Sequence, residues 1–258
     1  MLLAVNIGNS NIIMGGYVNK ELVFESRLKT ETAKTEYEYA VMIKDVLAVY
    51  GCEYRQLEGC IISSVVPQLT QVIGKAVCLL KKVKIMYIAP GLKTGINISL
   101  DNPAQLGADL VACAVGAMQK YTLPAIVINM DTATSMLLLD CERRLVGGSI
   151  MPGVLTGLSA LVNKAARLSS ISMEGEVPVV GTNTESAMRS GTVLGTAAML
   201  DGMIERYSEH IGEQCTVVAC GLVAEHIVPK CKSNVVYNRT LLLDGLCDIY
   251  YKNINKNS

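Results

Sequence analysis

Tryptophan is absent from this chain of 258 residues, and phenylalanine occurs once, at Phe24. Proteins that bind single-stranded nucleic acid stack bases on aromatic side chains, so this scarcity argues against such a partner. An excess of positive charge is lacking too: 23 basic residues balance 23 acidic ones, and the one basic run, Lys81-Lys82-Val83-Lys84, reads as a solvated helix end. Nucleic-acid binding is therefore not expected. No apolar run approaches the roughly 18 residues of a membrane span, and Met1-Leu2-Leu3-Ala4-Val5-Asn6 has no basic n-region. The sequence predicts neither a signal peptide nor a membrane partner. The nine cysteines contain no Cys-x-x-Cys pair, and the two histidines, His210 and His226, have no cysteine or carboxylate at ligand spacing. Reduced thiols buried as small hydrophobes, in a cytoplasmic protein, are the expectation.

What is present is a repeat. Leu3-Ala4-Val5-Asn6-Ile7-Gly8-Asn9-Ser10-Asn11 returns without a gap 123 positions later as Ile126-Val127-Ile128-Asn129-Met130-Asp131-Thr132-Ala133-Thr134. The offset persists where Lys20-Glu21-Leu22-Val23 meets Arg143-Arg144-Leu145-Val146. Each copy is an apolar strand, a turn of small hydrogen-bonding residues and a second strand, and such turns face phosphate oxygens with N–H groups and short polar side chains. The first half then reads as strand, strand, strand, helix (36–50), strand (59–65), helix (67–82) and strand (85–88). That order is the plan of a ribonuclease-H-like domain. The second half repeats it after a helix predicted to run from Asn102-Pro103 to Lys120. The expected class is α/β, with two tandem ribonuclease-H-like domains at 1–118 and 119–258. Their turns, Asn6 to Asn11 and Thr132 to Thr134, are expected to face one cleft. A further helix opens with a capping-box pattern from Thr182 to Glu185 and carries Gly191, Gly195 and Gly202. These glycines fit either close packing within the chain or a subunit interface.

Two such meanders resemble the superfamily of actin, hexokinase and Hsp70, whose members bind ATP between two domains. The motif order narrows the resemblance. Asn6-x-Gly8-Asn9-Ser10-Asn11, Ser63-Ser64-Val65-Val66-Pro67, Pro90-Gly91-x-Lys93-Thr94-Gly95, Asp101-Asn102-Pro103, Gly107-Ala108-Asp109, Thr132-Ala133-Thr134, Gly147-Gly148-x-Ile150-x-Pro152-Gly153, Asn183-Thr184-x-x-Ala187 and Asp201-Gly202 together resemble type III pantothenate kinase over essentially the whole chain. The resemblance implies ATP-dependent phosphorylation of pantothenate, the first step toward coenzyme A, by a homodimer that uses Mg²⁺ and a monovalent cation, K⁺ or NH₄⁺. It also implies roles: Asp109 as base, Gly107 and Ala108 shaping the acceptor pocket, and Thr184 reaching a site across the dimer. Asn6, Gly8, Asn9, Ser10, Asn11 and Thr132 take the ATP positions.

The chain departs from that family at positions of chemistry. Asn6 and Asn129 stand where the family has Asp, the first serving ATP with its Mg²⁺ and the second the monovalent cation. Asp131 stands where the family has Gly. Hard cations prefer charged oxygen ligands, so cation affinity is expected to fall. Asp131 relocates the lost ligand, blocks the approach of a phosphate, or is a solvated turn acid with neither role. On the acceptor side Leu100 replaces a Tyr and Leu110 an Arg, and near the adenosine end Cys220-Gly221-Leu222 replaces Thr-Gly-Gly. Three functions accommodate these departures: a pantothenate kinase with an altered site, an impaired paralogue that binds nucleotide or a partner, and a kinase of another small hydroxylated acceptor.

Overall fold

β1 (Leu2–Ile7), β2 (Asn11–Val18) and β3 (Glu21–Lys29) form the expected meander, followed by α1 (Glu36–Val49), β4 (Gly59–Ser64), α2 (Pro67–Leu80) and β5 (Lys84–Tyr87). The computed structural model describes residues 1–165 and 168–254. The first sheet has the order β3-β2-β1-β4-β5, with β1 antiparallel to β2 and parallel to β4. Thr35 caps α1 reciprocally with Glu38, and Pro67 opens α2, where a missing N–H costs nothing. One face of this sheet, through Leu3, Val5, Ile7, Cys60 and Ile62, buries against Tyr39, Ile43 and Leu47 of α1 and Leu69, Ile73 and Val77 of α2.

The stretch predicted as one helix from Asn102 to Lys120 is two elements. Asn102 Oδ1 accepts the N–H of Ala104 and caps only a 3₁₀ turn, Pro103–Gln105. After Leu106-Gly107 the chain starts afresh as α3 (Ala108–Lys120), whose first bond runs from Val111 N to Gly107 O at 3.1 Å. Asp109 consequently lies in a first turn, where a negative charge is favoured by the helix dipole. From Leu110 to Met118 every residue of α3 is buried, as its all-round apolar composition demands.

In the second half come β6 (Asn97–Ile98), β7 (Ala125–Met130), β8 (Ala133–Leu139), β9 (Arg144–Pro152), α4 (Val154–Lys164), α5 (Thr184–Ile211), β10 (Thr216–Cys220), α6 (Ala224–Ile227), β11 (Val235–Tyr237) and α7 (Leu241–Ile254). The second sheet, β11-β10-β7-β8-β9-β6, repeats the first order and adds β6 at its edge. Val193, Ala197, Leu200 and Ile204 line one stripe of α5 against Ile126, Ile128, Val217 and Ala219. The capping box of α5 is shifted by one from the predicted position. Asn183 Oδ1 accepts from Ser186 N at 2.9 Å, while Glu185 pairs with Arg189.

The two units are discontinuous in sequence. The first comprises Met1–Gly95, Asn102–Gln119 and the chain from Thr240; the second comprises Ile96–Asp101 and Lys120–Arg239. The assignment of α7 to the first unit, where the repeat places it after the second, has a physical basis. α7 packs on β1 and β4, and its backbone at Gly245 approaches the carbonyl of Ala112 on α3 too closely for any side chain. Tyr17 Oη donates to Asp244 Oδ1 at 2.7 Å, and Thr240 Oγ1 donates to Oδ2 at 2.6 Å. These bonds satisfy a carboxylate that is only 9% exposed. Burial, with Asp244 beside it, pushes the Tyr17 hydroxyl well above its ordinary range.

Candidate active site

In the first unit the site grows from the carboxyl ends of β1 and β4, where ligands of open α/β sheets bind. The turn after β1 closes through Gly8 N, which donates to Asn11 O at 2.9 Å. Gly8 thus shapes the turn and leaves Asn9 and Ser10 exposed at its tip. Thr30, which the sequence did not single out, clamps the turn from behind: its Oγ1 donates to Gly8 O at 2.7 Å and its N to Ser10 O at 3.1 Å. Asn6 and Ser63 are Cα partners across β1 and β4. Both are buried, at 3% and 0% exposure, and Asn6 Oδ1 and Ser63 Oγ have no hydrogen-bond partner. Two adjacent orphaned oxygens are costly unless a ligand satisfies them.

α3 delivers Asp109 to the same end of the sheet. A Cβ at Gly107 would fall 2.5 Å from Asp109 Oδ1 and 3.8 Å from Val65 Cγ1, while Val65 N donates to Ile7 O at 3.0 Å. The carboxylate therefore folds over the bare Cα of Gly107, next to the strand ends. Ala108 is half-buried, and Leu110, where a polar acceptor contact is missing, is 9% exposed within α3.

In the second unit Asn129 is the penultimate residue of β7, 7% exposed, and its Oδ1 accepts the Sγ–H of Cys220 at 3.6 Å across a β7 to β10 register pair. The following turn is tied from Asp131 N to Ala133 O at 3.0 Å. Thr132 O receives two donors, Gly153 N at 3.2 Å and Thr156 Oγ1 at 2.7 Å. Thr134 Oγ1 is buried without a partner. Gly221, with φ of +94°, lies against the backbone of Met130, so both conformation and space require glycine there. Leu100 belongs to this unit and is half-buried. Thr184 is the exposed first residue of α5, on the rim of a groove of about 760 Å³ between α4 and α5. Asp201 is occupied structurally. Although burial opposes it, the N–H groups of Lys232 and Ser233, at 2.9 and 2.8 Å, hold its carboxyl below the ordinary range.

The two implied cations differ in fit. Mg²⁺ keeps much of its water and is held by few carboxylates plus substrate phosphates, so its hydrate suits the orphaned acceptors of Asn6 and Ser63. A dehydrated monovalent cation needs several free oxygens. Asn129 Oδ1 and the main-chain carbonyl of Thr132 are already engaged by protein donors, and among the described residues no group of three or more His, Cys, Asp or Glu is placed to hold an ion.

Comparison with known proteins follows the same lines. The sequence model of the family described as type III pantothenate kinase matches residues 2–206. A protein named type III pantothenate kinase from Halalkalibacterium halodurans is 36% identical over 98% of this chain and 100% of its own length, and one from Brevibacillus brevis is 37% identical over 98% and 99%. Among solved structures, a conserved putative Baf family transcriptional activator from Campylobacter jejuni superposes with a TM-score of 0.60 at 15% identity, covering 98% of this chain and 99% of that one. The activator of 2-hydroxyisocaproyl-CoA dehydratase from Clostridium difficile gives 0.58 at 12%, covering 100% and 97%. These structures share the fold, a mixed α/β fold with two ribonuclease-H-like units.

Proposed function

Because the chain belongs to the type III pantothenate kinase family, we propose that it transfers the γ-phosphoryl group of ATP to the primary hydroxyl of pantothenate, the first step toward coenzyme A, with Asp109 as the base. The observation that carries this reading is the convergence, at one sheet end, of an exposed polar turn, two orphaned oxygens and a carboxylate held on Gly107. Phosphoryl transfer asks for positioning and charge neutralisation more than for covalent chemistry. Asn9, Ser10 and Asn11, shaped by Gly8, and Thr132 donate to phosphate oxygens. Mg²⁺ accompanying ATP supplies neutralising charge, and the orphaned acceptors of Asn6 and Ser63 orient its water shell. Asp109 accepts the hydroxyl proton, and Gly107 and Ala108 leave room for the acceptor. Leu100 and Leu110 offer no polar contact, and a hydrogen bond to a charged group contributes about 1.5–3 kcal/mol. The deficit appears in KM for pantothenate. Cytoplasmic location accords with nine cysteines that form no disulfide.

The test is a coupled assay with pantothenate, ATP and Mg²⁺, read by mass spectrometry of the product. Formation of 4'-phosphopantothenate is the expected result. Absence of turnover with pantothenate, while ATP binds, overturns the acceptor assignment.

The working form is a homodimer built through α5, which brings Thr184 to the partner's site. What supports this is space: a Cβ at Gly191 or Gly195 would meet nothing within 4 Å, so these glycines serve no packing inside the chain. Gly195→Leu is expected to halve the mass measured by light scattering. Helix propensity alone would stabilise the isolated chain by up to about 1 kcal/mol. An unchanged dimer removes α5 from the interface.

A further inference from the structure

The departure at Asn129 has a partner, and the pair changes what the second turn can bind. Cys220 and Asn129 face each other in register on β10 and β7, 91 residues apart in sequence. The thiol donates to Oδ1, which engages the acceptor end of the amide with β10 and leaves Nδ2 as its donor end. An N–H group repels a cation and attracts a phosphate oxygen. The neighbouring carbonyl, Thr132 O, already receives the N–H of Gly153 and the hydroxyl of Thr156, which uses both of its lone pairs. Asp131 O lies hard against the Cα of Gly153. Two of the oxygens from which a cation cage would be made, Asn129 Oδ1 and Thr132 O, are thus engaged, and the partnerless hydroxyl of Thr134 beside them brings no charge.

We infer that this chain binds ATP without a monovalent cation, the Asn129 amide donating directly to a phosphate where the family resemblance implies a carboxylate and an ion. The inference rests on the proposed ATP site and specifies its regulation by salt. Cys220 is a positioning residue in this scheme, since its S–H fixes which end of the amide meets the nucleotide. An acid at 129 would reverse the logic: a carboxylate facing phosphate needs a cation between them.

The experiment is calorimetric titration of the full chain with Mg²⁺-AMP-PNP, a nonhydrolysable ATP analogue, in potassium, ammonium or choline chloride at one ionic strength. The wild-type Kd is expected to agree within about twofold in all three salts. Asn129→Asp is expected to bind at least about tenfold more weakly in choline than in potassium, and Cys220→Ser, which keeps a donor, to bind better than Cys220→Val. Should the variants fail to fold, the wild-type salt series stands alone. A wild-type Kd that falls more than about fivefold, saturably, with potassium and not with choline overturns the inference. If Asp131→Gly then abolishes that effect, the carboxylate at 131 holds the ion. Absence of AMP-PNP binding in every salt is a different result and overturns the ATP site itself.

Discussion

Asp109→Asn is expected to lower kcat by about a hundred- to ten-thousandfold, the range for loss of a positioned general base. The carboxamide has nearly the volume of the carboxylate, so it still fits over the bare Cα of Gly107 beside Val65. What it loses is the capacity to take a proton. Stability falls slightly, by about 0.3–1 kcal/mol, because a negative charge leaves the first turn of α3. The affinity for Mg²⁺-ATP changes little, since the phosphate-facing residues lie on other elements. Steady-state kinetics with calorimetric nucleotide binding separate the two effects. A variant that turns over at near wild-type rate assigns proton removal elsewhere.

Gly153→Ala and Gly157→Ala are expected to act in opposite directions, though the residues lie one helical turn apart. Gly153 caps α4 with φ of −64°, a value open to any residue, so conformation does not require glycine. Space does. A Cβ there would collide with the carbonyls of Asp131 and Thr132, backbone atoms of the proposed phosphate turn that cannot rotate away as a side chain would. Overpacking of this kind costs about 1–3 kcal/mol, or roughly 2–4 °C of Tm for each kcal/mol at this chain length. Moving the turn also displaces Thr132, and nucleotide affinity is expected to fall about tenfold or more, the scale of one lost hydrogen bond to a charged group. At Gly157 a Cβ meets nothing within 4 Å. Within a helix Gly→Ala there contributes about 1 kcal/mol, raising Tm with no change in binding. Equal effects at the two positions would mean that the contact between Gly153 and the turn does not constrain the site.

Relocation of the second-turn acid to Asp131 meets a turn in which two oxygens already have donors. The side chain of residue 129 is bound to Cys220, and the carbonyl of Thr132 is capped. Asp131 brings the carboxylate of this turn, and Asp131→Gly separates relocation of the ligand from blockade of the phosphate and from a solvated acid with neither role. The neutral Asn129 favours hydrogen-bonding recognition of the phosphate over recognition through a monovalent ion.

Local pattern in the sequence determined much of this protein. The gap-free repeat, the alternation of strands and helices and the start of α2 at residue 67 depend on contacts within a few residues, and each appears where the pattern places it. The polar turns after β1 and β7 were legible for the same reason, since small residues between apolar strands have few other conformations. Tertiary structure alone decided the rest. The pairing of Asn129 with Cys220 spans 91 residues and that of Tyr17 with Asp244 spans 227, distances over which periodicity carries no information. The return of α7 to the first unit follows from a backbone contact between Gly245 and Ala112, and glycine in a sequence does not reveal what approaches it. The start of α3 at Ala108 was hidden because Asn102-Pro103 is itself a good helix opening. Only the break after Leu106 turns Asp109 from a mid-helix acid into a first-turn carboxylate at the end of β1 and β4.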